Sequence, residues 1–98
     1  MIIWGNLELQ QSTIESLGHI VKVKGWCKLN SNYNLKSLGD LEKVEGALWL
    51  LFCEDLKSLN NLKYALHIYL HGSGITEEYI IRNRPELYDR CDWKRNIW

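Results

Sequence analysis

Two histidines four residues apart, His67 and His71, have the spacing of a metal-binding pair. H-x-x-x-H sets two imidazoles side by side when the backbone is helical, because residues four apart share a helix face. Here Ile68 and Leu70 alternate with His67, Tyr69 and His71, which is the period of a strand. On a strand the two rings stand about 13 Å apart, at about 3.3 Å per residue, too far for one ion. No metal and no cofactor is expected.

Nucleophilic chemistry fares no better. Cys27, Cys53 and Cys91 are an odd number with no C-x-x-C pair, which indicates neither a disulfide framework nor a zinc clip, and reduced thiols fit a cytosolic protein. No histidine is placed by a recognisable motif to activate a thiol, so Cys27 and Cys53 read as core residues and Cys91 as part of a packed cap. Glu42, Glu45, Glu54, Asp55, Glu77 and Glu78 fall on corners and a helix start, where carboxylates are solvated or capping. Gly72 and Gly74 lack the lysine of a phosphate loop. The expectation is a protein that is not an enzyme.

What these residues sit on is a repeat. The unit is clearest from Gly46 to Leu62, L-x-L-x-x-C-x-x-L-x-S-L-x-x-L, filled by Leu48, Leu50, Cys53, Leu56, Ser58, Leu59 and Leu62. Its strands open at Leu7, Cys27, Leu48 and Ile68, at offsets of 20, 21 and 20 residues. Each is followed by one apolar turn residue (Ile14, Leu35, Leu56, Ile75), and three coils repeat S-L-x-x-L from Ser16, Ser37 and Ser58. Val23, Val44 or Ala65 then precedes the next strand, with Gly25 or Gly46 at two of the entries. A coil of this size cannot bury its own apolar edge, so neighbours stack with strands about 4.8 Å apart and the inward leucines form a ladder.

The L-x-L-x-x-N/C core of Leu48 to Cys53, with Ser12, Asn32 and Ser73 at the equivalent positions, resembles leucine-rich repeats, and the S-L-G-x-L and G-x-L-x-L phrases are similar to short repeat proteins of bacteria and phages. The resemblance covers roughly residues 3–76. It departs from the pattern in having Cys27 in place of leucine and no helical period on the back of the coils. It implies an α/β repeat fold, a short right-handed parallel β-solenoid of about three and a half coils with an extended or 3₁₀ convex side. By analogy it also implies a phage or mobile-element product, an inhibitor of a host bacterial immunity protein acting in the host cytoplasm.

A single domain is expected over residues 1–98, solenoid over 1–76 and helical cap and tail over 77–98, since a chain this short supports one thin core. Met1 to Trp4 is apolar enough for an N-terminal edge or partial cap. Thr76 suits an N-cap, Glu77 and Glu78 complement the helix dipole, and Tyr79, Ile80 and Ile81 are expected to be buried. Pro85 ends that helix and opens a second to about Cys91, with Leu87, Tyr88 and Cys91 as its stripe, before a tail carrying Trp93, Ile97 and Trp98.

With the strand leucines inward, three rows must face outward: Asn6, Trp26, Ala47, His67; Glu8, Lys28, Trp49, Tyr69; and Gln10, Asn30, Leu51, His71. Two tryptophans, a tyrosine and a leucine on one solvent face are the side chains of an interaction site. Trp26, Lys28, Trp49, Leu51, His67, Tyr69 and His71 are the candidate partner-binding residues, with Trp49 and Tyr69 as anchors. A folded-over tail would instead make them a second core.

Twelve basic residues balance twelve acidic ones, so no global field draws the chain to nucleic acid or an anionic membrane. Lys22, Lys24, Lys28, Lys43, Lys57 and Lys63 are candidates to line one side of the solenoid, and Arg82, Arg84, Arg90, Lys94 and Arg95 gather in the cap, leaving nucleic acid as an alternative partner. The first ten residues lack a basic start and a long apolar run, and no stretch approaches a membrane span, so a cytoplasmic location is expected. The functional expectation is a protein-binding module, with self-assembly as a homodimer through the same face as the competing one.

Overall fold

A glycine marks the corner of each of the first three coils, and on both sides of it the chain runs extended. In the computed structural model, which describes residues 1–92, β1 (Ile2–Ile3) and β2 (Leu7–Glu8) flank Gly5, and β3 (Lys22–Val23) and β4 (Cys27–Lys28) flank Gly25. The strand β5 (Lys43–Trp49) runs through the corner at Gly46, and β6 (Tyr64–Tyr69) completes the set. All pairings are parallel. The chain is a parallel β-solenoid of about three turns with a short C-terminal helix.

Two ladders run up the stack, one on each side of the corner. The front ladder aligns Leu7, Cys27, Leu48 and Ile68, the register that the 20–21-residue spacing predicts. The other aligns Ile3, Val23, Val44 and Ala65, so the segment expected only to lead into the strand is itself a strand. The glycine corner is tight because successive coils touch there through backbone. A Cβ on Gly46 would stand 3.0 Å from the Gly25 carbonyl oxygen and the Trp26 nitrogen. In the fourth coil the corner residue is missing: Ala65 pairs with Val44 but His67 already pairs with Ala47.

The core consists of the inward columns. Leu29, Leu50, Leu35, Leu56, Leu38, Leu59, Leu41 and Leu62 have no exposed surface. At the strand end each coil turns through one left-handed residue, Gln11, Ser31, Phe52 or Gly72, with φ of 53°, 61°, 62° and 77°. The next residue points inward beneath the turn. In the second coil it is Asn32, fully buried. Its amide donates to the carbonyls of Leu9 and, at 2.7 Å, Leu29, and its oxygen accepts from the Ser12 N–H and hydroxyl at 2.9 and 2.6 Å. In the third coil Cys53 takes that place, and its thiol donates to the Leu29 carbonyl at 3.0 Å. These contacts satisfy backbone groups that a turn buried under a second coil would otherwise leave open.

The cap follows the sequence closely in its boundaries. α1 (Glu77–Asn83) starts after Thr76, whose hydroxyl accepts from the Tyr79 N–H at 3.0 Å, and a 3₁₀ helix runs from Pro85 to Arg90. Ile80 and Leu87 are buried, and Tyr79, Tyr88 and Cys91 partly so. Ile81, expected to be buried, is 54% exposed. Three successive helical residues span about 200° of arc, wider than the stripe a short helix can press against its neighbour. After the 3₁₀ helix Cys91 pairs in parallel with Ile68, and the Asp92 N–H donates to the Ile68 carbonyl, so the chain returns to the front ladder as a fifth rung. The N-terminal stretch forms the first rung of the other ladder and does not fold over the end of the stack. The tail with Trp93, Ile97 and Trp98 lies outside the described residues.

Candidate functional site

The front face of the solenoid is set by strand alternation. With Cys27, Leu48 and Ile68 turned into the core, the side chains between them turn to solvent, and parallel pairing brings Glu8, Lys28, Trp49 and Tyr69 into one row. All seven candidate residues lie on this face. Trp26, Lys28, Trp49, Leu51 and Tyr69 are half-buried, and His67 and His71 are exposed.

Trp49 and Tyr69 are its centre. Their rings stack with centroids 4.0 Å apart and planes 15° from parallel. Lys28 lies on the other side, its ammonium 5.5 Å from the Trp49 ring and 5.7 Å from the Trp26 ring. An aromatic pair of this kind contributes about 0.5–1.5 kcal/mol beyond its buried area, and each exposed cation–π contact about 0.5–1 kcal/mol. Together they hold flat rings in place on a rigid sheet, which lowers the entropy lost when a partner docks. His67 lies 6.3 Å from the Tyr69 ring. Among the described residues no carboxylate pairs with Lys28. Glu8, its neighbour across the ladder, instead accepts from the Gln10 side chain.

The sequence reading missed one member. Phe52, 40% exposed, sits edge-on to His71 with ring centroids 5.6 Å apart and extends the patch past the end of the strand. Its neighbour Gly72 must be glycine twice over: φ is +77°, and a Cβ there would meet the Phe52 ring at 2.5 Å. The signal in the sequence was the turn column Gln11, Ser31, Phe52, Gly72, in which an aromatic side chain is out of place.

The remaining chemistry is inert. Burial, and secondarily the neighbouring Cys53, pushes the Cys27 thiol up to about 12, and burial pushes Cys91 up to about 12. Burial also raises Cys53, partly offset by a hydrogen bond from the Asn32 backbone. All three are protonated at neutral pH and are poor nucleophiles. Among the described residues no three of His, Cys, Asp and Glu stand together as metal ligands. His67 and His71 lie on the extended chain, not on a helix.

The lysines do not line one side. Lys28 is on the front face, whereas Lys22 and Lys24 flank Glu45 at 3.4 Å each on the other ladder, and Lys63 pairs with Glu42 at 3.7 Å. Burial pushes the Glu45 carboxyl up, but the two lysines outweigh it and hold the group below its ordinary value. In the cap Arg82 pairs with Glu78 and Arg84 with Glu86, while Arg90 and Lys43 lie over the Tyr64 ring at 5.1 and 5.6 Å. Parallel stacking separates these cations because positions 22 and 28 belong to different ladders. Lys94 and Arg95 lie outside the described residues.

No described helix is long and apolar enough to cross a membrane. No protein family, curated protein or solved structure matches this chain.

Proposed function

We propose that the chain is a non-enzymatic protein-binding module whose contact surface is the aromatic face of the front ladder. The observation that carries this reading is the Trp49–Tyr69 stack, flanked by Trp26 and Lys28, on the solvent side of a sheet. Large flat side chains with few rotatable bonds, ringed by polar residues, are what dominates binding energy at interfaces. A narrower form of the proposal, a phage or mobile-element inhibitor that occludes a bacterial host protein of immunity, rests on the resemblance to short bacterial and phage repeat proteins. Such an inhibitor needs a rigid face and no reaction of its own.

The test is capture from a bacterial lysate with the wild-type chain and with a folded Trp49→Asp/Tyr69→Asp variant, the retained proteins being identified by mass spectrometry. A protein held by the wild type and lost from the variant supports the face, and a direct activity assay of that protein then separates an inhibitor from an adaptor. Equal retention by both moves the site elsewhere. Capture of nucleic acid with steep salt dependence would favour the basic groups of the cap.

A further inference from the structure

We infer that the first coil is a second, separate interaction surface, and that its occupant is the first coil of another copy of the same chain. The two ends of the stack differ. At the C-terminal end the Cys91–Asp92 rung pairs with β6, and α1 and the 3₁₀ helix place Ile80 and Leu87 in the core. Among the described residues nothing covers the opposite end.

Burial registers the difference column by column. Ile3, Leu7, Leu9, Ile14 and Ile20 are only half-buried, although they belong to the inward columns. One rung up, Val23, Cys27, Leu29, Leu35 and Leu41 are completely buried. Beside this half-covered core stand Met1 at 70%, Ile2 at 43% and Trp4 at 75% exposure. Repeat stacks need a polar outer surface on their terminal coils to stay soluble alone, and this one is apolar.

The backbone presents the same opening. The N–H groups of Leu7, Leu9 and Gln11 donate into the second coil, to Trp26, Lys28 and Asn30. Successive residues of a parallel strand direct their amides to opposite sides, so Asn6, Glu8 and Gln10 direct theirs away from the stack. An edge of this kind is a template for another strand.

Two facts select a copy of this chain. Because the far end is covered by the cap, head-to-tail addition has no matching surface, and the apolar end finds its complement only in itself, as a closed two-fold pair. Charge does not oppose the pairing: from Met1 to Val21 the only Asp, Glu, Lys or Arg residues are Glu8 and Glu15. The molecule measures 31 × 25 × 23 Å, and an end face of roughly 450 Å² per copy buries about 900 Å² in total, below the ~1,200 Å² of a standard stable interface. The pair therefore forms and separates with concentration. This surface is independent of the aromatic front face.

Sedimentation velocity over a concentration series up to about 1 mM, the range of a weak complex, tests the inference on the full chain. The wild type is expected to shift from one to two chains, while amide exchange at Asn6, Glu8 and Gln10 slows. Ile2→Glu and Trp4→Glu alter exposed side chains and spare the core, and each is expected to raise the dissociation constant at least about 30-fold. Glu8→Pro removes an outward amide and no bond to the second coil, and is expected to abolish pairing while circular dichroism stays unchanged. Trp49→Asp/Tyr69→Asp is expected to dimerise as the wild type does. A single-chain mass throughout the series overturns the inference. So does a dimer that survives the first-coil variants but is lost with the front-face variant, or growth beyond two chains.

Discussion

The backbone N–H of Leu59 donates to the phenol oxygen of Tyr79 at 3.1 Å, as the N–H of Leu38 one coil earlier donates to the Asn60 side-chain oxygen at 2.8 Å. Leu38 and Leu59 are the same position in successive coils, and each amide is satisfied by the rung above. In the last case that rung is no longer a coil. A helix has taken its place, and its tyrosine, which also meets the Ser58 hydroxyl at 3.1 Å, supplies the missing acceptor.

Tyr79→Phe should accordingly uncouple the cap from the third coil. Loss of both contacts is expected to cost about 1–2 kcal/mol in urea unfolding, with amide exchange at Leu59 accelerating more than at Leu38. Equal protection at the two amides in the variant would refute the substitution of a tyrosine for a coil.

The buried amide of Asn32 is a harder loss. Replacing it by alanine strands two carbonyls and the Ser12 groups under the turn, and is expected to destabilise by about 2–4 kcal/mol. Cys53→Ala, at the next position up, gives up one weak thiol hydrogen bond and a small volume, and is expected to cost about 1 kcal/mol. Chemical denaturation of both variants measures the ratio.

Two left-handed glycines in the same column should respond differently to alanine. Gly18, at φ +62°, has open space where a Cβ would lie, so only the backbone conformation resists, at about 1 kcal/mol. Gly39, at φ +60°, would place its Cβ 2.5 Å from the Gly18 carbonyl oxygen and 2.8 Å from the Gly18 nitrogen, backbone atoms that cannot turn aside. Gly39→Ala is expected to cost at least twice as much, read as the difference in unfolding midpoints.

Alkali should weaken the fold before acid chemistry of the thiols matters. Cys27 and Cys91 are raised from an ordinary value near 9 to about 12, so the folded chain holds protons that the unfolded chain releases. Stability from these thiols is complete below pH 9 and falls as pH rises from there toward 12. Cys27→Ala and Cys91→Ala are expected to flatten that slope in a series of urea titrations. In the native protein at pH 8 a thiol reagent should label slowly, and all three cysteines quickly once urea unfolds the chain.

A double-mutant cycle on Trp49 and Tyr69, each to alanine, should return a coupling of about 0.5–1.5 kcal/mol, and the same cycle on Trp26 and Tyr69, two rungs apart, close to none.

The front of the molecule could be read from the sequence because two periods coincide there. Alternation by two assigned Leu48 and Leu50 inward and Trp49 outward, and the 20–21-residue repeat fixed which residues lie side by side. The second ladder carries no such signal: Lys22–Val23 is too short to alternate, so Val23, Val44 and Ala65 appeared as isolated core positions. Cys91 joins the front ladder 23 residues after Ile68, through a helix and a 3₁₀ helix, and no spacing rule reaches across such an insertion. Phe52 was hidden by its place in a turn, where polar residues or glycine stand in the other coils.

The unit between Lys22 and Lys43 is 21 residues long, begins and ends in register, and fills every inward column. Its length is therefore a countable quantity. A second copy of residues 22–42 inserted after Glu42 would raise the tower by one storey, about 4.8 Å, and leave the open ground floor and the helical roof as they stand. The front face would grow in equal steps, one Trp26–Lys28 pair at a time, so reach across a partner becomes an adjustable dimension of this protein.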